Sequence, residues 1–406
     1  MTAGPVVIIG AGHAGFQLAA SLRQHGFSDR IALVNDEGHL PYQRPPLSKA
    51  YLKGTGGPDS LMFRPEKFYQ DQKIDLISDR AVSIDRTSRK LLLASGTSLD
   101  YGHLVLATGA RNRLLDIPNA NLAGVRYLRT LDESQSLRDC IAPGQRVVVI
   151  GAGFVGLEFA ATARAKGLEV DVVELATRVM ARAVTAEISE FFQSRHTAAG
   201  IRIHLGVVVT SIEGDGHKVT GVSLSDGRHL PADLIVVGVG VLPNVELAAE
   251  AGLKVAAGIV VDEHLLTSDP NISAVGDCAL YESQRFGGSL RLESVQNATD
   301  HARAVAARLT GDAKPYDGVP WFWSDQGPDK LQMVGLTTGY DHVVVRGDRG
   351  AGAFSAFCYK AGQLVGIESV NRAGDHMFGR RLFAANGSIT PEQAADTGFD
   401  LKSALT

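Results

Sequence analysis

One pattern occurs twice in this chain and limits the folds open to it. The string VVIIGAGHAGFQLAASL begins at Val6, and VVVIGAGFVGLEFAATA begins at Val147. Each is a β-branched apolar run, then a glycine turn, then apolar positions at helical spacing, which predicts strand, tight turn and helix. A second apolar run follows each, RIALVN in the first copy and EVDVVE in the second. Two copies of one βαβ unit in a single chain predict a duplicated nucleotide-binding fold.

The glycine spacing gives the turns their chemistry. Gly10, Gly12 and Gly15 in the first copy, and Gly151, Gly153 and Gly156 in the second, follow a strand directly and open a helix. The first glycine permits the turn, the second lets backbone N–H groups approach a pyrophosphate, and the third lets helix pack on strand. The helix N-terminus adds about half a positive charge facing the phosphates. Two dinucleotide folds imply two dinucleotides, and the useful combination is FAD held permanently with a nicotinamide cofactor visiting, for hydride transfer. Glu174, ending the strand after the second loop, is placed to accept from the adenosine ribose and to repel a 2′-phosphate, which favours NADH over NADPH. Arg178 nearby is the contrary sign.

Other segments fill in the architecture. LDYGHLVLATGA reads as a buried strand running into Gly109, and LPADLIVVGVGVLPN repeats that arrangement around Gly238 and Gly240. TSDPNISAVGDCAL gives a strand with Asp277 at its carboxyl end, and ESVQNATDHARAVAARLTG a helix from about Ser294 to Gly311. After Pro315 the chain alternates in short turn-punctuated runs, which predicts antiparallel strands and then a short helical tail. The expected fold class is α/β, with two Rossmann-like dinucleotide-binding domains and an α+β C-terminal domain. The expected division is residues 1–111 with 246–318 for FAD, 112–245 for NAD, and 319–406 for the C-terminal domain.

Composition excludes several function classes. At 406 residues, with 45% hydrophobic and 21% charged residues, this is a folded multidomain chain. Its net charge of −4 argues against a general nucleic-acid binder. The three cysteines, Cys140, Cys278 and Cys358, lie far apart with no CxxC spacing, so neither a disulfide framework nor a metal site is implied. No uninterrupted apolar run approaches the ~18 residues of a membrane span, and no leader pattern precedes the first strand. The expected location is the cytoplasm, with no membrane partner.

The segments VVIIGAGHAG, PYQRPPLSKAYL, LVLATGA, RYLRTLDES, VVVIGAGFVGLEFAA, VGVGVLPN, TSDPNISAVGDCA, ESVQNA and PWFWSDQ occur in this order. In that order they resemble the single-component ferredoxin reductases of bacterial cytochrome P450 and aromatic dioxygenase systems, from Val6 to about Asn371. The resemblance implies nucleotide-binding domains of the glutathione-reductase type. It also implies FAD contacts at Ala14 and the first-loop glycines, Asp36, Lys49, Val82, Arg129, Asp277 and Val295. Arg44, Thr108, Gly109 and Gly240 complete the candidate cofactor-binding set. Asn35 precedes Asp36, so which of Asn35, Asp36 and Glu37 meets the ribose stays open.

Related disulfide reductases carry a cysteine pair facing the flavin; here that segment holds a proline-stiffened lysine instead. Electrons would leave the flavin without a sulfur relay. Pro45 and Pro46 fix the backbone, Lys49 supplies a cation, and Glu158 is its expected partner because a charge in a dry cleft is costly alone. Lys49 and Glu158 are the candidate catalytic residues, although Glu158 could merely cap its helix. Trp321 and Trp323 read as core residues or as aromatics exposed near the flavin. Arg303 reads as a solvated cation, or as part of a basic rim steering an acidic partner.

The expected function is hydride transfer from NADH to flavin N5 and release of single electrons to a [2Fe–2S] ferredoxin serving an oxygenase. The alternatives are rubredoxin reduction, NADH oxidase activity, or an NADH-sensing flavoprotein of the apoptosis-inducing-factor type.

Overall fold

The computed structural model describes residues 4–405. They form two compact units, the first from residues up to 44, 58–111 and 241–320, the second from 45–57, 112–240 and 321 onward.

The first unit is built on a five-stranded parallel sheet in the order Ile272–Ala274, His103–Leu106, Val6–Ile9, Ile31–Asn35, Ile74–Ser78. Val6–Ile9 and His103–Leu106 are buried at every position, as strands covered on both faces must be. Helix His13–Gln24 springs from the first glycine loop and packs against helix Val295–Leu309. The second helix was expected to start near Ser294; Ser294 is its N-cap and accepts from the Asn297 N–H at 3.1 Å. Asp277 departs slightly from expectation. It lies in a 3-10 turn, Gly276–Cys278, beyond the end of strand Ile272–Ala274, because Gly276 turns the chain at φ +74°.

The second unit repeats the design. Its parallel sheet runs Arg202–Leu205, Glu169–Glu174, Arg146–Ile150, Leu234–Val237, Val125–Tyr127. The same unit holds the expected antiparallel region, a five-stranded sheet in the order Trp321–Gln326, Asp329–Gly335, Gln363–Val370, Ala353–Lys360, His342–Asp348. Helix Ala373–Ala384 packs on its inner strands. Glu368, fully buried in that sheet, accepts from Thr185 N–H at 2.9 Å and Thr185 Oγ1 at 2.8 Å, tying the sheet to the start of helix Ala186–Ala198. Among the described residues no helix is long and apolar enough to cross a membrane.

One ion cluster fixes the outer edge of the second parallel sheet. Asp171, buried, accepts from Arg202 Nε at 2.9 Å and Nη2 at 2.7 Å and from His204 Nε2 at 2.8 Å. Burial alone would push its carboxyl up, but the His204 and Arg202 donors outweigh burial and hold it below the usual aspartate range. A carboxylate with a lowered folded pKa stabilises fully above its unfolded pKa and loses that contribution as pH falls through the folded value. Asp171→Asn is therefore expected to lower stability by about 2 kcal/mol at neutral pH. Chemical unfolding of both proteins should show the gap closing in strongly acid solution, and a gap independent of pH would contradict this account.

Candidate functional site

The two glycine loops share one geometry. Gly10 and Gly151 sit at φ +101° and +103°, and a Cβ on either would collide with the carbonyl of Ala107 or Gly238 on the neighbouring strand. A Cβ on Gly15 would strike the Gly10 carbonyl, and one on Gly156 the Gly151 carbonyl, so the third glycine of each loop admits the close helix. Gly12 and Gly153 differ, because a Cβ there meets nothing within 4 Å. The middle glycine is dispensable to the protein and leaves room for something else. That pattern, close packing at the first and third positions and an open second, fits a pyrophosphate on each helix N-terminus.

The strand-end residues are not equivalent in the two copies. Gly10 N–H bonds the Val34 carbonyl and Gly151 N–H the Val173 carbonyl, both at 2.8 Å, which makes Asn35 the counterpart of Glu174. Glu174 accepts from Ala152 N–H at 2.7 Å and Ala176 N–H at 2.8 Å, so it already faces the second glycine loop. Asn35 instead donates to the His39 carbonyl at 2.9 Å; Asp36, one residue later, is exposed, and Glu37 pairs with Arg44. Arg178, the contrary sign for NADH, donates to the carbonyls of Ala181, Val184 and Thr185. Its guanidinium holds a turn.

Around the first loop stand several of the other candidates. Arg44 bonds Glu37, stacks over the Tyr42 ring at 5.1 Å and is raised in pKa despite burial by Tyr42, Glu37 and Asp277. Burial and the Arg44 charge lower His13 to about 4, so its ring is neutral beside the loop. Thr108 Oγ1 donates to the Asn244 carbonyl at 2.7 Å, and Asn244 N–H to the Gly109 carbonyl at 2.9 Å. Ala14 lies in the first turn of its helix, and Val295 is the first residue of the capped helix. Val82 is the extra residue of a bulge between Ala81 and Ser83. In the second unit Gly240 sits at φ +98°, and Arg129 N–H donates to Glu133 at 2.7 Å in the cap of helix Leu131–Cys140.

The proline segment is pinned within the second unit. Pro45–Ser48 forms a 3-10 turn and Lys49 starts the short helix Ala50–Lys53. Ser134 Oγ donates to the Leu47 carbonyl at 2.8 Å, Tyr51 OH bonds Gln135, and Arg138 lies over the Tyr51 ring at 5.1 Å. So held, Lys49 Nζ lies 2.9 Å from Glu158 Oε2, the expected ion pair, with side-chain exposures of 18% and 4%. Ser48 Oγ donates to Oε2 and Ser324 Oγ to Oε1, each at 2.6 Å. Glu158 sits beyond the first turn of helix Phe154–Ala165, and with these partners the capping alternative drops out. Neither serine was singled out in the sequence, although both lie inside quoted motifs.

The aromatic pair is half-buried, neither core nor fully exposed: Trp321 stacks under Arg380 at 4.3 Å and meets the buried His376 edge-on. Arg303 has 59% side-chain exposure and sits 3.6 Å from Asp300, a weak surface pair.

A family model described as pyridine nucleotide-disulphide oxidoreductase matches residues 4–302, and one described as reductase C-terminal matches 321–405. The chain belongs to the pyridine nucleotide-disulphide oxidoreductases. Within this family it is 53% identical over 401 residues to rhodocoxin reductase of Rhodococcus erythropolis, covering 98% of this chain and 94% of that protein. It superposes with a TM-score of 0.98 on the ferredoxin reductase for the CYP199A2 system of Rhodopseudomonas palustris, at 72% identity over 99% of this chain and all of the other. The putidaredoxin reductase chain of a covalent complex with putidaredoxin gives 0.96 at 40% identity, covering 99% and 98%. Proteins of this family use FAD and a nicotinamide dinucleotide, and the two open-centred glycine cradles fit them.

The disulphide in the family's name has no counterpart here. Cys140, Cys278 and Cys358 are free thiols, and burial pushes all three up from the ordinary thiol range. A reactive thiolate needs the opposite shift.

Proposed function

We propose that this chain is an NADH-dependent ferredoxin reductase, supplying electrons singly to a [2Fe–2S] ferredoxin that serves a cytochrome P450 or another oxygenase. The observation that carries the reading is the Lys49–Glu158 pair in the segment where a redox cysteine pair would belong. The solved relatives include a reductase joined to putidaredoxin, and the chain matches that reductase over nearly its whole length.

Bound FAD accepts a hydride and passes the electrons on one at a time. The first glycine loop, Ala14, Asp36, Arg44, Thr108, Gly109 and Asp277 would hold it, together with Lys49, Val82, Arg129 and Val295. Helix Val295–Leu309 brings a positive N-terminal end to the same task. Gly151, Gly153, Gly156, Glu174 and Gly240 would hold NADH. Lys49 is held 2.9 Å from Glu158 Oε2, and no proton transfer is asked of it. Three unpaired thiols suit a reducing compartment, and the reading is of a cytoplasmic protein.

Glu174→Arg is expected to shrink the preference for NADH over NADPH by roughly tenfold or more, since it removes one like-charge clash with a 2′-phosphate. Steady-state kcat/KM with both coenzymes measures this, and an unchanged ratio would show that another residue selects. The reading as a whole is tested by NADH-driven cytochrome c reduction with and without a [2Fe–2S] ferredoxin. Strong dependence on the ferredoxin is expected. Equal stimulation by rubredoxin, or slow turnover indifferent to any carrier, would contradict it.

A further inference from the structure

A carboxylate turns readily about its last torsion, so one partner cannot fix a plane. Glu158 has Lys49 and Ser48 on Oε2 and Ser324 on Oε1, so among the described residues Ser324 anchors the second oxygen. Behind Ser324 the polar contacts continue. Gln326 Nε2 lies 3.3 Å from Ser324 Oγ and 3.3 Å from Met180 Sδ, and Gln326 Oε1 lies 2.8 Å from His196 Nε2. All of these side chains except Lys49 are buried.

The direction of the chain follows from its chemistry. Met180 sulfur can only accept, so the amide nitrogen of Gln326 faces it, and Gln326 Oε1 faces His196. An amide oxygen can only accept, so His196 carries its proton on Nε2. Burial lowers the His196 pKa, in keeping with a neutral ring. Ser324 accepts from Gln326 and has a single hydroxyl proton left, which points to Glu158. From His196 through Gln326 to Ser324 one line of donors therefore runs toward the carboxylate that holds Lys49, with the other Gln326 amide proton left for Met180.

We propose that Ser324, oriented by Gln326 and His196, is a positioning residue for the hydride-transfer step: it locks the Glu158 carboxylate so that Lys49 is held in one place. This rests on the reading of Lys49 given above and extends it to residues of the C-terminal sheet and of helix Ala186–Ala198.

The test is anaerobic stopped-flow reduction of the FAD-loaded enzyme by NADH, which involves no ferredoxin, on Ser324→Ala, Ser324→Thr, Gln326→Met, Lys49→Met and the Lys49→Met/Ser324→Ala double variant. Ser324→Ala should slow the limiting rate roughly tenfold, the scale of a lost hydrogen bond to a charge, with NADH affinity little changed. Ser324→Thr, which keeps the hydroxyl, should restore most of the rate. Gln326→Met should give a smaller loss, and it serves as the second probe should Ser324→Ala fold poorly. The double variant should be no slower than Lys49→Met alone. A wild-type rate in Ser324→Ala, no effect of Gln326→Met, or a double variant slowed by the product of the two single effects would overturn the proposal. An unchanged rate in Lys49→Met would instead sink the reading of Lys49 itself.

Discussion

Lys49→Met is expected to slow reduction of the bound flavin by NADH by about 10²-fold, the usual scale for losing one preorganised electrostatic partner at a reacting centre. The substitution keeps the side chain's length and removes only its charge. What remains is Glu158, 4% exposed, with two serine hydroxyls and no cation. Leaving one partner of a buried pair uncompensated costs about 3 kcal/mol, so the variant should also melt lower. Rate and stability can be separated by measuring FAD content and thermal unfolding on the same sample. A variant that retains its flavin and reduces it at the wild-type rate would take Lys49 out of the mechanism.

Gly151→Ala should abolish useful NADH binding while leaving FAD in place. At φ +103° an alanine is strained, and its Cβ would collide with the Gly238 carbonyl, so the loop must move. We expect the NADH Kd to rise by about 10²-fold, equivalent to roughly 2.7 kcal/mol. Gly153→Ala is the informative contrast. Its Cβ meets no protein atom within 4 Å, so stability should hold and any loss of affinity reports the ligand directly. Titration of both variants with NADH checks this. Tight binding by Gly151→Ala would show that the second loop is not the nicotinamide dinucleotide site, and tight binding by Gly153→Ala would show that the open position does not face the pyrophosphate.

Much of this molecule could be read from the chain because its signals are local. A glycine that must hold positive φ next to a β-branched strand announces itself within a few residues, and the loop at Gly10 is repeated at Gly151. The Lys49–Glu158 pair was also legible, since a lysine among prolines near a flavin motif needs a counter-charge. The serines that complete it were not. Ser48 and Ser324 lie 110 and 166 residues from Glu158 in sequence, and a serine hydroxyl gives no sign of its partner until the fold supplies one. The ribose contact of the first loop stayed open for a different reason. Asn35 matches Glu174 only by strand register, which fixes facing positions to single-residue precision and cannot be counted from apolar runs. Arg178 looked like a phosphate reader because carbonyl partners such as those of Ala181 and Val184 leave no trace in sequence.

The central claim is passage of electrons to a one-electron iron–sulfur carrier with no thiol taking part. Anaerobic titration with NADH of the enzyme plus excess [2Fe–2S] ferredoxin tests it, run on wild type and on the Cys140→Ser/Cys278→Ala/Cys358→Ala variant. The account predicts two ferredoxins reduced per NADH in both proteins. Reduction in the wild type that disappears when the three thiols are removed from a folded, flavin-containing variant would contradict it, and so would no ferredoxin reduction in either.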